Sequence, residues 1–134
     1  MLKEIHSKHA VHKLGYHLVF TTKYRKSILK DGVDVILKNI IGETCVAYGW
    51  IIHALEIMPD HVHLFLQVSH TDCICDVVKT LKSISAVKIF SEVKGLKKKH
   101  FWGSGLWSDG TFYATTGDAS AETIKKYIEE QKTR

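Results

Sequence analysis

Apolar and polar residues alternate with a period of two over residues 14–22, where Leu14, Tyr16, Leu18 and Phe20 stand opposite His17, Val19 and Thr21. This is the pattern of a strand with one buried face. Over residues 31–48 the period changes: Val33, Ile36, Leu37, Ile40, Ile41, Thr44 and Cys45 recur at three- and four-residue spacing. That predicts an amphipathic helix, with Asp31 as its cap and Gly49 as its stop. Residues 50–57 and 61–68 are β-rich runs joined by the turn-forming Met58-Pro59-Asp60, a predicted hairpin. Helical spacing returns over residues 71–93 through Ile74, Val77, Val78, Leu81, Ile84, Val87 and Ile89, and Gly95 breaks it. Residues 102–108 and 111–115 predict a second hairpin around Asp109-Gly110. After Gly117, with Asp118 or Ser120 as cap, a last helix over about 119–131 carries Ile124, Tyr127, Ile128 and Gln131.

The order strand, helix, hairpin, helix, hairpin, helix predicts an α+β fold. An antiparallel sheet carries helices on one face, close to the split β-α-β ferredoxin-like plan that RNA-recognition domains share. No repeat or low-complexity linker interrupts the 134 residues, which read as one domain, 1–134. Hydrophobic residues make up 45% and charged residues 25%, so neither a disordered nor a membrane-embedded chain is expected. No apolar stretch approaches the ~20 residues a bilayer requires, and no membrane partner is expected. Cys45, Cys73 and Cys75 are odd in number, and Cys73 and Cys75 are too close for an easy bridge. Free thiols in a reducing, cytoplasmic setting follow, and no second cysteine or histidine pair stands at zinc-finger spacing.

Lys and Arg outnumber Asp and Glu by 19 to 14, giving +5, which favours a polyanionic partner without requiring one. Lys79, Lys82 and Lys88, the run Lys97-Lys98-Lys99, and Lys23, Arg25 and Lys26 are the clusters able to track phosphates. Any single lysine is more often a solvated surface residue. The aromatics Phe101, Trp102, Trp107, Phe112 and Tyr113 could stack on bases; burial of at least half of them is the plainer reading.

His61 and His63, two apart on a strand, project from one face, with Val62 and Leu64 on the other. Two imidazoles there could share one divalent cation, although a chance histidine pair satisfied by backbone or water reads equally well from these residues alone. Tyr127 supplies a candidate nucleophile. Gln131, four residues on, stands on the same helical face, where its amide oxygen could serve a metal. The alternative packs the Tyr127 ring beside Ile124 and Ile128. His6, His9 and His12 recur every three residues, as a helix face or a disordered arm would allow, and neither reading indicates catalysis; His17 has no role that spacing assigns.

Three blocks, Tyr16-His17-Leu18-Val19-Phe20-Thr21-Thr22-Lys23-Tyr24-Arg25, His61-Val62-His63-Leu64 and Tyr127-Ile128-Glu129-Glu130-Gln131, resemble in content and order those of the single-tyrosine HUH transposases of small insertion sequences. The resemblance covers nearly the whole chain. It implies a metal-dependent endonuclease and strand transferase for single-stranded, hairpin-bearing transposon ends. By that resemblance Tyr127 forms a 5′-phosphotyrosine, and His61, His63 and Gln131 bind Mg2+ or Mn2+. It further implies a homodimer with active sites shared between subunits. The rival readings are a noncatalytic nucleic-acid-binding module on the same sheet plan and a metal-dependent hydrolase that uses water.

Overall fold

A computed structural model describes residues 2–6, 11–12, 15–97, 99, 105–115 and 121–130. Strands β1 (Ile5–His6) and β2 (Val11–His12) pair in a small antiparallel ladder of their own. The main sheet holds β3 (Gly15–Thr21), β4 (Ile51–Met58), β5 (His61–Gln67) and β6 (Phe112–Thr115) in the order β4-β5-β3-β6, every neighbour antiparallel. Helix α1 (Val33–Tyr48) links β3 to β4, and α2 (Ile74–Glu92) links β5 to β6. Each link crosses over an intervening antiparallel strand, so the expected split β-α-β plan occurs twice.

The period-two pattern decides which residues are buried. Leu18 and Phe20 of β3, with Val62, Leu64 and Leu66 of β5, are fully buried in one core with Leu37, Ile40 and Ile41 of α1 and Val77, Leu81 and Ile89 of α2. Burial of each such side chain contributes on the order of 1.5–3 kcal/mol. Helix α3 (Ala121–Glu130) contacts β3. Its Tyr127 ring lies 5.7 Å from Phe112, which pairs with Val19 on the other face of the sheet. The sheet thus carries α1 and α2 on one side and α3 on the other, a division that the expected one-sided packing does not include.

Local chemistry shifts two expected helix starts and keeps one expected stop. Asp31 does not cap α1: it sits at φ 55, and Gly32 at φ 99 precedes the helix, its N–H donating to the Asp34 carboxylate at 3.2 Å. Gly49, at φ 75, ends α1 as expected; its N–H reaches Val46 O while the Trp50 N–H reaches Cys45 O at 2.9 Å, the paired bonds that close a helix on a left-handed residue. Helix α2 starts three residues later than its spacing predicts. The Asp72 carboxylate accepts from the Ser69 N–H at 3.0 Å and the Trp50 indole at 3.1 Å, locking residues 69–72 into a turn.

Nor do residues 105–108 and 111–115 form the expected hairpin. Both run along the edge of β3, with Trp107 bridging to Thr22 and β6 pairing with Tyr16, His17, Leu18 and Val19. The jog between them is held by Lys82, whose ammonium donates to Ser108 O at 2.7 Å, Gly110 O at 3.3 Å and Thr111 Oγ1 at 3.1 Å. Phe101 and Trp102 lie outside the described residues, as do the candidate caps Asp118 and Ser120.

Because that ammonium braces a loop, Lys82→Met should destabilise the fold by about 1–3 kcal/mol, the range for leaving buried carbonyls without their donor. The urea midpoint measures it, and an unchanged midpoint would mean the loop holds itself. Cys45 is buried, which pushes its thiol up to about 12, whereas Cys73 and Cys75 are exposed. Near neutral pH a thiol reagent should therefore label Cys73 and Cys75 in the native protein and reach Cys45 only after denaturation, as peptide mapping would show.

Candidate active site

The second face of the sheet is built in cross-strand rows. Directly paired residues share a face, so Glu56, His63, Val19 and Phe112 form one row. Met58, His61 and Thr21 form the next, and Ala54, Phe65 and His17 flank it on the other side. His61 and His63 thus lie on one face, as their spacing predicts. The Tyr127 ring enters the same face through Phe112, with its hydroxyl oxygen buried. Gln131 lies outside the described residues.

The two imidazoles are held differently. His61 Nδ1 lies 2.8 Å from Asp60 Oδ1, and Asp60 Oδ2 accepts from Arg25 Nε at 2.9 Å. Burial alone would raise the Asp60 carboxyl, but the hydrogen bonds from His61 and Arg25 outweigh it and hold it below the ordinary carboxylate range. A carboxylate on Nδ1 fixes the His61 tautomer with its proton there, leaving Nε2 as the free lone pair. Delivering Arg25 requires an unusual backbone. Tyr24 and Arg25 both have positive φ, 57 and 52, in the 3-10 turn Lys23–Arg25 that follows β3. Left-handed non-glycine residues cost roughly 1–2 kcal/mol each. The turn is fastened by Thr22, whose N–H donates to Asp60 O at 3.0 Å and whose hydroxyl donates to Lys26 O at 2.7 Å.

His63 instead meets His17, with His17 Nδ1 3.2 Å from His63 Nε2. Burial first, and then the neighbouring His17 and His61, hold His63 below the ordinary histidine value, with Glu56 opposing. A neutral ring keeps a lone pair, so the donor set suits a divalent ion of borderline softness. Among the described residues no three His, Cys, Asp or Glu side chains converge into a metal cage by themselves.

The basic clusters divide. Lys79, Lys97 and Lys99 are exposed, with Lys97 Nζ 5.5 Å from the Phe90 ring. Lys23 is half-buried, its Nζ 5.6 Å from the Tyr24 ring. Lys82 and Arg25 are engaged inside the fold, and Lys98 lies outside the described residues. A cleft of about 390 Å³ opens between α2 and residues 105–111. It carries none of the histidines, and the paired imidazoles weigh more than its volume in locating chemistry. Asp60 and His17 are the neighbours of the two imidazoles that spacing does not reveal. Asp60 carries one signal, its place immediately before His61; His17 carries only the shared parity of alternating strands.

The chain is similar to known proteins over most of its length. The family described as Transposase IS200 like matches residues 10–131. The ISDra2 transposase TnpA of Deinococcus radiodurans is 38% identical over 121 residues, 90% of this chain and 86% of that protein. The transposase for insertion sequence element IS200 of Salmonella typhimurium is 26% identical over 116 residues, 87% of this chain and 75% of that one. A crystal structure of a Deinococcus radiodurans R1 protein assigned as a transposase superposes with a TM-score of 0.89 at 38% identity, covering 97% of this chain and 99% of that chain. The REP-associated tyrosine transposase bound to a REP hairpin shares the fold, with a TM-score of 0.57 at 16% identity over 94% of this chain and 67% of that chain. With the match extending from before the first main strand to the end of the last helix, this chain belongs to the IS200-like transposase family.

Proposed function

We propose that this transposase cuts and rejoins single-stranded, hairpin-bearing transposon ends, with Tyr127 as nucleophile and His61, His63 and Gln131 as ligands of Mg2+ or Mn2+. The observation that supports the reading is the packing of α3 on the histidine face: the Tyr127 ring lies 5.7 Å from Phe112, whose cross-strand row also holds His63, and the Tyr127 hydroxyl oxygen is buried. The unit is a single domain, 1–134, with the nucleophile on its C-terminal helix.

The Tyr127 oxygen attacks phosphorus, the P–O3′ bond breaks, and the departing 3′-oxygen takes up a proton. The DNA 5′-phosphoryl remains esterified to the tyrosine. A second 3′-hydroxyl then reverses the step at a new site, the proton returning to the phenolic oxygen. Because one phosphate ester replaces another, no nucleotide cofactor is needed. A divalent ion held at His61, His63 and Gln131 would offset the charge that builds on the non-bridging oxygens. Asp60 contributes by fixing the His61 ring, and Arg25 by fixing Asp60. Lys23, Lys79, Lys97, Lys98 and Lys99 remain for the DNA backbone, so binding weakens with added salt. The protein acts as a homodimer with active sites shared between subunits; the REP hairpin carried by the structural relative is in keeping with hairpin-bearing DNA as ligand.

With labelled single-stranded ends and Mn2+, the wild type should yield a protein–DNA adduct on a denaturing gel. Tyr127→Phe should abolish the adduct and lower cleavage on the order of 10³-fold or more. Cleavage persisting in Tyr127→Phe but lost in His61→Ala would instead identify a hydrolase that uses water. Asp60→Asn should weaken Mn2+ binding by about 10–100-fold, the usual consequence of losing the group that orients a ligating histidine. Calorimetry without DNA checks this, and unchanged affinity would remove Asp60 from the site.

A further inference from the structure

His17 of β3 and His63 of β5 approach with His17 Nδ1 3.2 Å from His63 Nε2, their ring centroids 5.5 Å apart. The His17 ring is itself fixed. It lies flat on Phe65, with centroids 4.5 Å apart and planes within 4°. His53 approaches Phe65 at 5.5 Å and is in turn tied to Gln67 Oε1 at 2.8 Å. A cavity of about 70 Å³ lined by His17, Ala54, Glu56, His63 and Phe65 borders the contact.

A neutral imidazole has one N–H and one lone pair, so this contact admits two proton assignments with opposite consequences. If His17 Nδ1 donates, the Nε2 lone pair of His63 is consumed and its proton sits on Nδ1. His63 then has nothing to offer a cation. If His63 Nε2 donates into the His17 Nδ1 lone pair, His63 keeps a free lone pair on Nδ1. While the two rings keep this contact, only the second assignment leaves His63 a lone pair for an ion. It also gives both rings the same logic: each is fixed through the nitrogen that it does not give to the ion, His61 by Asp60 and His63 by His17.

We propose that His17 is a positioning residue of the metal site, accepting the Nε2–H of His63 and holding that ring in one tautomer and one orientation. The inference rests on the assignment of His61 and His63 as ligands, and its test separates the two. Mn2+ affinity of the DNA-free protein, read from the electron paramagnetic resonance of unbound ion, needs no cleavage. His61→Ala tests the underlying assignment; affinity equal to wild type there would remove the metal site, and the role of His17 with it.

His17→Phe keeps a ring on Phe65 and deletes the acceptor nitrogen. Its affinity should fall by about 10–100-fold while its melting temperature stays near that of wild type. His17→Asn sets an amide oxygen close to the position of Nδ1 and should recover most of the loss. If packing on Phe65 were the whole contribution, that order would reverse, with the phenylalanine variant binding as wild type. Tighter binding by His17→Phe would mean that His17 competes with the ion for His63. Either result overturns the proposal. Nitrogen-15 spectra of the wild type give a reading independent of any variant: His17 and His63 should both carry their proton on Nε2, and a His63 proton on Nδ1 sinks the idea.

Discussion

The pleat of β5 is the constraint on which the rest of the molecule depends. Its seven residues sit between two antiparallel neighbours, so successive side chains must enter different environments. Val62, Leu64 and Leu66 go to the core under α1 and α2, and His61, His63, Phe65 and Gln67 go to the opposite face. A register slip of one residue would expose the valine and leucines and drive two imidazoles into the apolar layer. Fold and candidate chemistry are therefore specified by the same alternation. The stable core on one side is what makes the histidine face on the other side rigid.

Around that face the chain accepts local penalties that a purely structural protein would avoid. Two consecutive left-handed residues at Tyr24 and Arg25 bring a guanidinium to Asp60, and among the described residues Arg25 Nη1 is buried without a hydrogen-bond partner. Gln67, fully buried, gives its amide to the backbone of Lys3, accepting from Lys3 N at 3.1 Å and donating to Lys3 O. It thereby pins the N-terminal segment across the end of the same face. The two consecutive left-handed residues and the buried Gln67 thus flank this face, whereas the buried Thr44 of α1 and Ser85 of α2 return their hydroxyls to their own helices. Strain of this kind persists only where the surrounding structure holds it.

The sequence pattern exposes the fold well because the period of each element is set by burial, and burial is what the hydrophobic pattern records. It exposes β3, β5, α1 and α2, and it separates His61 and His63 from Val62 and Leu64. It fails where polar groups override the period. Asp72 serves the Ser69 amide and the Trp50 indole instead of extending α2, and Lys82 crosses from α2 to hold a loop that reads as a hairpin turn. The candidate site divides on the same line. A pair on one strand is visible in one dimension. His17 and His63 are 46 residues apart and become neighbours only through the register of β3 on β5, which no local spacing contains.

The choice of donors follows from what the proposed reaction must keep. A cluster of carboxylates would attract an ion more strongly, yet it would also set negative charge against a DNA phosphate and against a phenolic oxygen losing its proton. Neutral imidazoles avoid that repulsion, provided their tautomers are fixed from behind. The one carboxylate close to His61 is placed to do this: Asp60 faces the far nitrogen of the ring and has its own charge offset by Arg25. His63 has the His17 ring as its neighbour instead, Nδ1 to Nε2 at 3.2 Å. The carboxylate behind His61 is thus offset by a guanidinium, and Glu56, the cross-strand partner of His63, is the acidic group left on that side of the face, a sparing use of negative charge suited to a strand that the proposed reaction both breaks and rejoins.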